Sequence, residues 1–173
     1  MSNEWPSQFP LQEAKGYGES SIFSPESLLN EARRQKDLPN EDVPEICVLD
    51  PDGDILHHLR DRGEASELKS WPGYHTRLYT MERQGFEVGI IACAVGAPFA
   101  VLVAEQLFAA GCEFLISITS SGQILPRGEP PYFVLIEQAL RDEGTSYHYQ
   151  EPTRYASLDH HLQDRVEKAC TEI

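Results

Sequence analysis

The stretch VGIIACAVGAPFAVLVAEQLFAAGCEFLISI, residues 88–118, decides the fold. Val88 to Ala94 carries almost no polar side chain over the length of a strand, the pattern of a strand buried on both faces. Gly96-Ala97-Pro98 interrupts it, with a proline suited to a first helical turn. Val101, Leu102, Ala104, Leu107 and Phe108 then recur at helical spacing until Gly111 supplies the stop. Phe114 to Ile118 is apolar again and reads as the next buried strand. Strand, helix and strand make a βαβ crossover, which gives parallel strands and a right-handed connection. The expectation is that these two strands are neighbours. Gly89, Gly96 and Pro98 also break the longest apolar run, Val88 to Ala104, so it is not a membrane span.

Upstream, Gln84-Gly85-Phe86-Glu87 reads as a turn, which pairs a strand at Tyr74 to Met81 with the one at Val88 as a hairpin. Ile46 to Leu49 is a short apolar strand stopped by the acidic turn Asp50-Pro51-Asp52-Gly53-Asp54. Between Ile55 and Gly73 the pattern predicts one short helix, near Ala65 to Lys69. Ser24-Pro25-Glu26 offers an N-cap, a first-turn proline and an acid, and Leu28, Leu29 and Ala32 carry the helix to about Lys36. Residues 1–21 have no apolar period and read as a polar N-terminal arm; residues 22–173 read as a single α/β domain. Downstream of Ser120-Ser121-Gly122 comes a loop from Pro126 to Pro131, then Tyr132 to Ile136 as a further strand of the sheet. A turn-rich loop at Arg141 to Ser146 follows, and Leu158 to Ala169 is helical by spacing.

The 173 residues carry a formal charge of -14, which argues against nucleic acid, since a phosphate backbone calls for a basic surface. The amino terminus lacks a basic start and an apolar run, and the four cysteines have no framework spacing, so a soluble cytoplasmic protein is expected. Cys47 and Cys93 sit in apolar runs, where a small buried thiol is the plain reading. No metal site is expected. His57-His58 and His160-His161 are adjacent pairs that do not converge on one ion, and the acidic turn lacks the downstream glutamate of a calcium loop, leaving a solvated turn. No GxGxxG dinucleotide fingerprint is present, and Ser120 and Ser121 lack a nucleophile elbow.

In an open α/β sheet, ligands gather at the carboxyl ends of the strands. Two segments qualify. In Cys93 to Pro98, Gly96 and Ala97 let a ligand approach the backbone ahead of a helix. In Ile118 to Gly122, the hydroxyl-rich turn Thr119, Ser120, Ser121, Gly122 suits a phosphate, a carboxylate or sugar hydroxyls. The plain alternative is that βαβ turns need small residues for packing.

At these residues the chain resembles the nucleoside phosphorylase/nucleosidase family, which includes purine and uridine phosphorylases. Val95-Gly96-Ala97-Pro98 through Glu105-Gln106-Leu107 echoes the family's glycine turn, proline and apolar helix with glutamate. Ser117-Ile118-Thr119-Ser120-Ser121-Gly122 and Pro126 stand where the family has a strand arginine, Gly-Thr-x-Gly and a loop ending in proline. Arg141-Asp142-Glu143-Gly144-Thr145-Ser146-Tyr147-His148-Tyr149 is similar to its Arg-x-x-Gly-x-Ser run before a histidine and an aromatic residue. The resemblance covers roughly Cys47 to Ala169. It implies a three-layer α/β sandwich with a mixed central sheet, incomplete at its C-terminal side; an incomplete sheet leaves an open edge and apolar faces that need cover, so a homo-oligomer is expected.

It further implies glycosidic-bond cleavage of a nucleoside, by phosphorolysis (a pentosyltransferase) or hydrolysis (an N-glycosidase), at Gly96, Ala97, Thr119, Ser120, Ser121 and Gly122. No cofactor is implied beyond inorganic phosphate as co-substrate of a phosphorylase. The family's phosphate arginines bind bidentately. Here Ser117 replaces the strand arginine, and carboxylates of the 50–54 turn stand where another arginine lies. His75 aligns with an arginine lent across a subunit interface, and Arg77, two residues on, would share its strand face; both are taken as subunit-interface phosphate contacts. The family's ribose-binding Met-Glu pair and base-contacting Asp have no counterpart, since Met81-Glu82 precedes the glycine turn; the chain resembles a C-terminally truncated member. The alternative reading is therefore a catalytically inactive homologue that binds a nucleoside, oligomerises or regulates.

Overall fold

The computed structural model describes residues 11, 13, 15–125 and 128–171. By internal contacts the chain divides into two units, Ser20–Gly122 and a second made of the segments Met1–Glu19 and Gln123–Ile173. Pro126 and most of the N-terminal arm lie outside the described residues.

The first unit begins with α1, Pro25–Lys36. Its start follows the local signals: Ser24 is extended, its hydroxyl oxygen accepts the Ser27 N–H at 3.2 Å, and proline occupies the first turn. Asp37, in the left-handed region, ends it. Strand β1, Ile46–Asp50, leads to α2, Asp54–Asp61. The helix expected at 65–69 is not there; those residues contain the two-residue strand β2, Ser66–Glu67. Helix formation occurs earlier because Asp50, still in the strand, caps it. Its carboxylate accepts the N–H of Gly53 at 3.0 Å and of Leu56 at 2.9 Å. Leu56 and Leu59, three residues apart, then bury one face.

Strand β3, Leu78–Arg83, begins four residues later than the sequence pattern suggests. It turns through Gln84 and Gly85, both at positive φ, into β4, Phe86–Ala92, so the expected hairpin is present with the turn geometry that matches strand twist. Helix α3, Ala97–Ala109, and strand β5, Phe114–Ser117, complete the crossover.

The sheet order is β2-β3-β4-β1-β5. Strands β4 and β5 are parallel, as expected, but not neighbours: β1 lies between them and pairs parallel with both. A crossover helix dictates direction and hand, not adjacency. The central place goes to β1, whose Cys47, Val48, Leu49 and Asp50 are all buried, whereas Phe114 and Ile116 of β5 are exposed at the edge. One face of the sheet packs Cys47, Leu49, Leu78 and Ile91 against Leu29 of α1 and Val103 and Leu107 of α3. The other packs Val48, Tyr79 and Ile90 against Leu56 and Leu59 of α2. Helices on both faces of a mixed sheet give the three-layer α/β arrangement.

In the second unit, 132–136 is not a strand, and Phe133, Val134 and Ile136 are exposed. An apolar run becomes a strand only where a ladder partner is available. The partnered residues here are β6, Gln138–Leu140, and β7, Tyr155–Ser157, an antiparallel pair separate from the five-stranded sheet. Helix α4, His160–Thr171, lies close to the expected span, with the Asp159 carboxylate accepting the Leu162 N–H at 3.1 Å. Arg141 is buried: its guanidinium donates to Ser146 Oγ, Thr153 Oγ1 and the carbonyls of Gln150 and Glu151, and it stacks on the Tyr147 ring. The Arg-x-x-Gly-x-Ser segment thus organises its own loop. Of the arm, Lys15 and Tyr17 donate to the Tyr147 carbonyl.

Candidate functional site

Three parallel strands finish on one edge of the sheet, with Asp50 opposite Ala92 and Leu49 opposite Ser117. The turns that follow are tied to β1: the Cys93 N–H donates to the Asp50 carbonyl and the Ile118 N–H to the Leu49 carbonyl, both at 2.9 Å. Because β3 runs antiparallel to β4, with Leu78 opposite Ile91, residues 74–77 come to the same edge.

Gly96 caps α3 at φ 88°, ψ 141°, a conformation available to glycine and strained for other residues. Among the described residues no side chain caps this helix, so Gly96 and Ala97 present their backbone at its positive end. On the other flank, Thr119, Ser120, Ser121 and Gly122 are exposed. The two flanks are not side by side, as adjacency would have made them. With β1 between, two strand spacings separate them by roughly 10 Å.

The middle of the mouth belongs to residues whose part the sequence did not disclose. The Asp52 carboxylate accepts the Ser120 N–H at 2.5 Å and lies 3.2 Å from the Thr119 hydroxyl through each oxygen. These bonds, the Ser120 N–H first, hold Asp52 below the usual carboxylate range. The acidic turn is not solvated throughout, since Asp50 is 1% exposed and serves as the cap of α2. Gly53, at φ 84°, lets Cys93 in close: a β-carbon there would stand 3.0 Å from Cys93 Sγ. Cys93 itself is exposed and at positive φ, contrary to the buried thiol expected. Cys47 is buried, and burial with Cys112 beside it pushes its thiol up.

His75 and Arg77 share no strand face, because β3 starts only at Leu78. His75 lines a cavity of about 190 Å³ with Tyr74, Phe99, Leu102 and Gln106. Arg77 is exposed and 4.0 Å from Glu67. Another hollow, of about 410 Å³, lies among Glu64, Ser66, Thr80 and Glu87, away from the mouth. Among the described residues, no group of three or more His, Cys, Asp or Glu is placed to hold a metal ion, and no helix is long and apolar enough to cross a membrane.

A family model described as the phosphorylase superfamily matches residues 45–173. The chain belongs to that superfamily. The match contains the mouth and all three segments of the resemblance. A uridine phosphorylase of Thermococcus kodakarensis is 30% identical over 86 residues, 50% of this chain and 30% of that protein. Two solved structures share the fold. Uridine phosphorylase from Vibrio fischeri has a TM-score of 0.63 at 18% identity, covering 79% of this chain and 56% of the other. Purine nucleoside phosphorylase from Toxoplasma gondii, in complex with immucillin-H, has a TM-score of 0.63 at 17% identity, covering 78% and 54%. This member of the superfamily thus spans 30% of the curated relative and just over half of the two solved chains.

Proposed function

We propose that the protein binds a nucleoside across the mouth formed by the turns after β1, β4 and β5, and acts on its glycosidic bond. The observation that carries this is the joint ending of three parallel strands at Gly96-Ala97 and Thr119-Ser120-Ser121-Gly122, within a chain of the phosphorylase superfamily. An edge roughly 10 Å across suits a ligand with a base at one end and a pentose at the other. Ribose hydroxyls donate to carboxylates, so Asp52 is a natural partner for them, while the uncapped start of α3 accepts an electron-rich group. His75, brought to the same edge ahead of β3, is the further candidate contact; Arg77, engaged with Glu67, is the weaker one.

The same reading takes the protein as a cytoplasmic homo-oligomer. What supports assembly is the exposure of Phe108, Phe114 and Ile116 on α3 and the edge strand; what supports the compartment is four free cysteines.

The test is to incubate the full chain with purine and pyrimidine nucleosides, with and without inorganic phosphate, and to follow free base and thermal stabilisation. Base released only with phosphate identifies phosphorolysis, and base released without it identifies hydrolysis. Stabilisation without release identifies the catalytically silent nucleoside-binding module. If Gly96→Val and Ser120→Ala both leave nucleoside binding unchanged, this mouth is not the site.

A further inference from the structure

We propose that the Asp52 carboxylate is a built-in anion that takes the Ser120 N–H and faces the Thr119 hydroxyl of the β5 turn, and so keeps inorganic phosphate out of the mouth. This deepens, and rests on, the reading of the mouth as the ligand site. A phosphate dianion binds where several N–H or O–H donors converge, aided by a cation. Donors do converge here, at the ends of β1 and β5, and the chain's own carboxylates engage four of them. Asp52 takes the Ser120 N–H at 2.5 Å and faces the Thr119 hydroxyl. Asp50 takes the N–H groups of Gly53, just before α2, and of Leu56 in its first turn. Among the described residues, no Lys, Arg or His forms an ion pair with Asp50 or Asp52.

An incoming phosphate would therefore have to displace a tethered carboxylate from a charge-assisted bond, and would then sit beside two negative charges with no counter-ion. Tethering favours the resident: Asp52 is held next to Ser120 at a high effective concentration, whereas phosphate arrives from solution. A neutral polyol meets no such opposition, because its hydroxyls can donate to Asp52 without dislodging it.

The experiment titrates the full chain with inorganic phosphate by calorimetry, comparing the unsubstituted protein with Asp52→Ala, Asp52→Asn and Asp54→Asn. The last changes net charge as Asp52→Asn does, at an exposed position that takes no part in the mouth's hydrogen bonds. The expected result is no saturable binding to the unsubstituted chain up to about 10 mM phosphate, and affinity at least about tenfold higher for Asp52→Ala. Asp54→Asn should behave as the unsubstituted chain does. Submillimolar binding by the unsubstituted protein overturns the proposal, and so does an Asp52→Ala protein no better than the parent. An equal gain from Asp54→Asn also overturns it, because the effect would then be one of net charge.

If Asp52→Ala does not fold, Asp52→Asn decides. It keeps an oxygen for the Ser120 N–H, and must gain more than Asp54→Asn does. A parallel nucleoside titration separates the two claims. Failure of nucleosides to bind removes the proposed function, while the phosphate titrations alone judge Asp52.

Discussion

Replacing Asp50 by alanine tests the idea that a residue of β1 holds α2 and the mouth in place. Two N–H···O bonds of 3.0 and 2.9 Å would be lost, from Gly53 and Leu56, at a carboxylate only 1% exposed. Hydrogen bonds to a charged partner contribute about 1.5–3 kcal/mol each, so the gross loss is about 3–6 kcal/mol. Relief of the buried charge's desolvation offsets part of it, and loss of a helix cap by itself costs about 0.5–2 kcal/mol. The net expectation is a destabilisation of about 2–3 kcal/mol for Asp50→Ala, and about 1 kcal/mol for Asp50→Asn, which keeps one acceptor oxygen. Urea unfolding, followed by fluorescence of the buried Trp71, gives the stability difference. Native-state hydrogen exchange gives the local one, since the Leu56 amide should lose protection ahead of amides in β4. A loss below about 0.5 kcal/mol, or an unchanged Leu56 amide, would refute the assignment of Asp50 as the cap.

Leu107→Ala, at a side chain with 0% exposure between α3 and the sheet, should cost about 2–5 kcal/mol, whereas Phe108→Ala, half exposed beside it, should cost well under half of that in the same urea titration. Gly53→Ala should destabilise by roughly 1–2 kcal/mol, from positive φ and the approach to Cys93 Sγ; pairing it with Cys93→Ala should recover part of the loss in a double-mutant cycle. Asp52 has a folded pKa below its ordinary value of 3.8, so its contribution is complete above that value and is lost as pH falls through the folded pKa. The stability gap between the parent and Asp52→Asn should therefore stay level from neutral pH to about pH 5 and close below 3.8, read from urea midpoints across pH.

Those elements legible in the sequence are the ones specified by neighbours along the chain. Ser24 and Pro25 start α1, Gln84-Gly85 turns the hairpin, and the spacing from Val101 to Phe108 makes α3. Helix α2 was hidden because its cap is the last residue of the preceding strand, and a Pro-Asp-Gly turn separates the two. Aspartate closing an apolar strand, with Leu56 and Leu59 beyond it, was the available signal. Sheet order was hidden for a different reason: parallel direction follows from the crossover, but the insertion of β1 depends on which strand buries best on both faces. For the site, the turns at Gly96 and Thr119 were legible because they follow buried strands. The bond from Asp52 to Ser120 was not, because it joins residues 68 positions apart in a turn whose composition reads as solvated.

Insertion of β1 changes what the mouth can recognise. Had β4 and β5 been adjacent, the glycine turn and the hydroxyl turn would have formed one pocket of backbone donors, suited to an anion. With β1 between them, a carboxylate-bearing turn divides that pocket in two. In the β5 half Asp52 takes the Ser120 N–H, and the α3 half has no side-chain cap among the described residues. On the proposed reading a ligand meets an acceptor at one end and donors at the other, which gives it one orientation: hydroxyl-bearing sugar over Asp52, electron-rich group over Gly96. Deoxygenating the sugar should then weaken binding to the parent chain and much less to Asp52→Ala, whereas altering the base should affect both equally. Equal losses for the two sugars' analogues in both proteins would place the pentose elsewhere.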